Sequence, residues 1–167
     1  MGREVRRVPA DWVHPQREDG RQGYQPMHDG SFTKAAEEWK QGFVAWEKGH
    51  NTYFDRPREE DETEEFWEYA GGPPDRAYYM PDWAEESQTH YQMYEDTSEG
   101  TPISPVMATP EELARWLVEN GASAFADETA SYEAWLRVAK GAWAPSAVTS
   151  NQGITSGVEA LSDAKTR

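Results

Sequence analysis

An α+β domain with about three main helices and a small antiparallel sheet is the fold class this sequence predicts. Three observations carry the prediction. Apolar residues recur at helical spacing from Phe32 to Trp46, and Thr109-Pro110-Glu111-Glu112 has the chemistry of a helix start. Thr89 to Tyr94, followed by Thr101 to Met107, has the composition of two paired strands. Eight Trp and eight Tyr in 167 residues supply one core, whereas disordered chains are poor in aromatics.

The elements follow in order. Residues 1–30 hold Pro9, Pro15 and Pro26 with no sustained period, so an extended N-terminal arm carrying Arg3, Arg6, Arg7, Arg17 and Arg21 is expected. The α+β domain then spans 31–160. In its first helix Phe32, Ala35, Ala36, Trp39, Phe43 and Trp46 mark one face of an amphipathic helix, with Ser31 as cap and Gly49 as left-handed stop. Residues 50–60 read as a loop. The acidic stretch after it enters a short helix with Asp61 and Glu64 as a capping pair, stopped by Gly71-Gly72-Pro73-Pro74. The strand from Thr89 turns at Ser98-Glu99-Gly100, and Pro102 and Pro105 place the return strand at a sheet edge. Leu113, Trp116 and Leu117 form the buried face of the helix after Thr109, which Gly121 ends. A further helix from about Thr129 to Lys140 buries Tyr132, Trp135, Leu136 and Ala139. Residues 146–160 form a hairpin around Asn151-Gln152-Gly153, and the tail, 161–167, frays.

Charge is the strongest functional signal. The chain carries −15, and Glu59 to Glu99 holds fourteen acids against one base, Arg76. Stabilisation of acids at a helix start (~0.3–1 kcal/mol each) nearly cancels their mutual repulsion at four-residue spacing (~0.2–0.5 kcal/mol per pair). Helix formation therefore does not account for the run. Such a field discourages nucleic acid and anionic membrane and favours a basic partner. The expected partner-binding carboxylates are Glu59, Glu60, Asp61, Glu62, Glu64, Glu65, Glu68, Glu85, Glu86, Glu95, Asp96 and Glu99, with Tyr78, Tyr79 and Trp83 as aromatic anchors. A solvated acidic face serving solubility is the competing account.

Catalytic chemistry is not expected. There is no cysteine, His14, His28, His50 and His90 form no helical metal-binding pair, and Gly71-Gly72 lacks the Lys-Ser/Thr of a phosphate loop. No metal or other cofactor is expected. Met-Gly-Arg-Glu-Val-Arg-Arg has no apolar run behind it, so no signal peptide and no membrane span are expected, and a cytoplasmic location follows.

Several stretches resemble a family of small phage and prophage proteins. They are Gly2-Arg3-Glu4-Val5-Arg6-Arg7-Val8-Pro9, Trp67 to Pro74 with Tyr79-Met80-Pro81 and Trp83, Tyr91 to Glu95, and Ser98 to Val106. Ser131 to Leu136 and Gly141 to Ala147 belong with them; residues 14–60 and the tail lie outside the likeness. The resemblance implies a mobile-element origin in a host bacterial cell and an anti-CRISPR role against Cas9-type effectors. It supplies no catalytic residues. The partner it implies is a CRISPR effector nuclease, a basic nucleic-acid-binding host protein. A phage structural or assembly accessory protein is the alternative, and self-association as a homodimer stays open.

Overall fold

The computed structural model describes residues 2–95, 100–141, 143–145, 147–150 and 153–163. The fold is α+β, with helices and small antiparallel sheets. The chain divides into two compact units, one of Met1–Met27 and Trp83–Arg167, the other of His28–Asp82.

The first unit is built on β1 (Arg3–Val8), the strand that replaces the expected arm. β1 runs antiparallel to β4 (His90–Glu95), with Val5 opposite Met93 and Arg7 opposite Tyr91. β5 (Thr101–Pro102) lies outside β4 and β6 (Trp143–Ala144) outside β1, giving the order β5-β4-β1-β6. The proline-bearing return strand thus occupies an edge, where the missing N–H is harmless. Side chains alternate across a strand. Val5, Tyr91 and Met93 therefore face the core formed with α3 (Pro110–Glu119) and α4 (Tyr132–Ala139), where Leu113, Leu117, Trp135 and Val138 are fully buried.

Caps set both helix starts. Thr109 accepts from the Glu112 amide with Pro110 in the first turn, and Ser131 accepts from the Ala134 amide, so α4 begins later than the sequence suggests. β7 (Ala147–Ser150) and β8 (Gly153–Ser156) form the expected hairpin; its turn at Asn151-Gln152 lies outside the described residues, as does the Ser98-Glu99 turn. α5 (Gly157–Asp163) replaces the last residues of the expected hairpin, with Val158 fully buried, and carries on through 161–163, where fraying is expected; residues 164–167 lie outside the described residues. Gly157 is required at the start of α5: a Cβ would lie 1.9 Å from the Pro145 carbonyl oxygen.

The second unit starts with α1 (Phe32–Glu47), capped by Ser31, whose side chain accepts from the Lys34 amide, and followed by Gly49 at φ +80°. The expected loop contains a tight hairpin, β2 (His50–Asn51) with β3 (Arg56–Pro57). Helix α2 is confined to Phe66–Tyr69. Trp46 and Phe66 are buried, and Trp39, Phe43 and Tyr69 pack against them. Gly42 admits Phe66: a Cβ there would stand 2.7 Å from Phe66 Cζ.

Candidate functional site

The acidic segment divides between the units. Glu59 to Glu68, with Tyr78 and Tyr79, falls in the second; Trp83, Glu85, Glu86 and Glu95 fall in the first. Asp96 and Glu99 lie outside the described residues.

In the second unit the expected capping pair does not form. Residues 59–62 make a turn, closed by the Glu62 amide donating to the Glu59 carbonyl. The helix begins only at Phe66, after Glu65, whose side chain caps nothing. Glu60, Glu64 and Glu68 therefore share no helical face. Burial of Phe66 against Trp46 and Trp39 sets the helix start instead, since that packing outweighs the tenths of a kcal/mol available from a charge at a helix end.

Glu62 is a structural carboxylate. It takes both Arg56 nitrogens, at 2.9 and 3.0 Å, the Asn51 amide at 2.9 Å and the Glu59 backbone N–H at 2.9 Å. The Arg56 fork, above all, holds its pKa down to about 2 from the ordinary 4.5. A carboxyl depressed in the folded state stabilises above its unfolded pKa, and that contribution is lost as pH falls from about 4.5 towards 2. Glu62→Gln is expected to lower stability at neutral pH and to flatten the acid limb over this window. Chemical denaturation at a series of pH values checks both effects; an unchanged limb would remove Glu62 from the account.

The neighbouring cations are also turned inward. Arg56 pairs with Glu59 at 3.3 Å, and Arg58 donates to the carbonyls of Trp46 and Glu62 while lying 4.1 Å from the Trp46 ring. Glu60, Asp61, Glu64, Glu65 and Glu68 remain exposed, with no ion pair among the described residues. Five carboxylates within nine positions thus face solvent.

Of the expected anchors, Tyr78 is 46% exposed. Tyr79 packs against His28 and Phe32, and Trp83 packs edge-on to Trp12 at 4.7 Å; both are half-buried. Glu85 and Glu86 are exposed on a 3₁₀ turn, and Glu95 lies 3.9 Å from buried Arg3. The most exposed rings in the second unit are instead Tyr53, Phe54 and Trp67, at 80%, 57% and 55%. Their sequence signal was adjacency to a turn for the first two and, for Trp67, its place beside buried Phe66.

A second polar centre lies in the first unit on the sheet face away from α3 and α4. Buried Arg6 pairs with Glu4 at 2.5 Å, donates to the Met27 carbonyl and lies 4.2 Å from the Tyr94 ring. Trp12 Nε1 and His14 Nδ1 both meet the Tyr94 hydroxyl, which donates to Gln92. His14 Nε2 stands 2.7 Å from the Gln25 carbonyl, which assigns the proton of the neutral ring to Nε2. Nδ1 is then an acceptor, and the single Tyr94 hydroxyl proton is shared between it and Gln92. Burial lowers the His14 pKa most, the Gln25 carbonyl opposes, and Arg6 lowers it further. The network specifies this face. A groove of about 550 Å³ opens beside it, between Trp12, Tyr24 and Pro105.

Among the described residues no three His, Asp or Glu side chains converge as metal ligands, and no helix is long and apolar enough to cross a membrane. No family model, curated protein or solved structure matches the chain.

Proposed function

We propose that this chain is a non-enzymatic inhibitor, encoded by a phage or prophage, that occupies the basic nucleic-acid channel of a Cas9-type CRISPR effector nuclease. The observation that carries the reading is the set of five unpaired, solvent-facing carboxylates at Glu60, Asp61, Glu64, Glu65 and Glu68, beside cations already engaged inward. The unit containing them has fourteen acids and six bases in His28–Asp82, a net −8 in 55 residues. A channel built for duplex nucleic acid expects about one negative charge per 1.7 Å of axis. Clustered carboxylates compete for the same lysines and arginines, speed the encounter and make binding salt-sensitive.

The test is a cleavage assay with a purified Cas9-type effector and guide. Changing Glu60, Glu64, Glu65 and Glu68 to Gln and Asp61 to Asn, with Glu62 retained, is expected to weaken inhibition at least tenfold while the circular dichroism spectrum stays unchanged. Raising salt from 50 to 300 mM is expected to weaken the native protein similarly. Inhibition indifferent to both changes, or no inhibition by the native protein, overturns the reading.

A further inference from the structure

The loop between β2 and β3 displays two aromatic rings that no core uses. Tyr53 and Phe54 stand edge-to-face, with ring centroids 4.9 Å apart. Their backbone is held from within. Asn51, fully buried, accepts from the Tyr53 and Phe54 amides at 3.0 and 3.4 Å. Its own amide nitrogen is anchored on Glu62 and on the Tyr69 hydroxyl. Rings presented on a fixed loop lose little conformational freedom when a partner covers them.

Beside Tyr53 opens a groove of about 720 Å³, bounded by Phe66, Tyr69, Ala70 and Glu38. Its aromatic members are set by the core: Tyr69 stacks on Trp46 at 4.4 Å, and Phe66 is only 6% exposed. Glu38 supplies a carboxylate whose ion pair among the described residues is an exposed contact with Lys34 at 3.7 Å, which is worth little in water.

We infer that this groove receives a lysine or arginine side chain of a partner protein, between the rings of Tyr53 and Tyr69 and against the Glu38 carboxylate. Charge complementarity selects this occupant. Aromatic faces attract cations, most strongly where water is excluded. A neutral apolar group would cover Glu38 without pairing it, at a desolvation cost. An anion would enter against the net −8 of the unit. The inference deepens the proposed binding to a basic partner by naming an anchor pocket separate from the five carboxylates.

The experiment uses the full chain and blocked hexapeptides of alternating glycine with arginine, lysine, glutamate or leucine, followed by aromatic proton–carbon NMR at low salt. Arginine and lysine peptides are expected to shift the Tyr53, Phe66 and Tyr69 ring signals in a saturable manner, and glutamate and leucine peptides to leave them unmoved. Tyr53→Ala and Glu38→Gln, both at exposed positions, are each expected to weaken binding by roughly two- to thirtyfold. Unmoved rings, or a Tyr53→Ala protein that binds like the native one, overturn the pocket. The two readings fail separately. Cationic peptides that shift the rings in a protein that inhibits no effector leave the pocket standing and remove the nuclease. Inhibition lost with the five carboxylates but untouched by Tyr53→Ala and Glu38→Gln does the reverse.

Discussion

Trp46→Ala is expected to destabilise the second unit by roughly 3–5 kcal/mol, the range for deleting a large buried aromatic. The residue is 1% exposed and stands where four interactions meet. Its ring stacks on Tyr69 at 4.4 Å, lies 5.9 Å from Phe66 and carries the Arg58 guanidinium at 4.1 Å. Its Nε1 donates to the Glu64 carbonyl at 3.1 Å. Alanine removes all four at once and leaves a cavity bounded by the Phe66 and Tyr69 rings of α2. Trp46→Phe keeps most of the packing and loses the N–H bond, so a smaller cost of about 1–2 kcal/mol is expected. Urea denaturation with matched slopes measures both. A cost for alanine below that expected for phenylalanine would show that this ring does not organise the unit.

Arg6→Met is the second large effect. Methionine keeps the length of the stem but removes the guanidinium that faces Glu4, the Met27 carbonyl and the Tyr94 ring. Breaking a fully buried pair from one side costs roughly 3–5 kcal/mol; Glu4 keeps 22% of its side-chain exposure, so about 2–4 kcal/mol is expected here. A second readout separates electrostatics from packing. The Arg6 charge is one of the causes that lower the His14 pKa, so the variant is expected to raise it, as seen in the imidazole NMR signals across a pH titration. Because the folded His14 pKa lies below its unfolded value, its contribution to stability is present above pH 6.5 and is lost as pH falls through the lowered value. Arg6→Met brings the two values closer and shrinks that acid sensitivity. A stability loss with no movement of the His14 titration would mean that Arg6 acts through packing alone.

Helix α1 was legible almost to the residue because its evidence is local: an apolar stripe, a serine before it and a glycine after it. The start of α3 was legible for the same reason, whereas α4 begins at Tyr132 behind its Ser131 cap, three residues after the expected Thr129. The candidate site was legible as a composition and not as a geometry. Fourteen acids between Glu59 and Glu99 are visible in any count, but the count does not distinguish Glu62, which takes a guanidinium fork and two N–H donors, from Glu60 and Asp61, which face water. The Asp61–Glu64 pattern pointed to a cap that the chain does not use, because burial of Phe66 starts α2 further on.

The sequence by itself determined the α+β class, the ends of the longer helices, the edge position of the proline-bearing strand and the segregation of charge. These depend on neighbours within a turn or on composition. Only the tertiary structure decided that Arg3-Glu4-Val5-Arg6-Arg7-Val8 is an inner strand of the sheet rather than an arm. Three arginines in six residues belong in water unless acceptors meet them. Here the Ser123 carbonyl meets Arg3 and the Met27 carbonyl meets Arg6, both buried, from 120 and 21 positions away, while Arg7 stays exposed and donates to the Gln88 carbonyl 81 positions away. Whether a charge or a ring is buried depends on such distant partners, and a local pattern contains none of them.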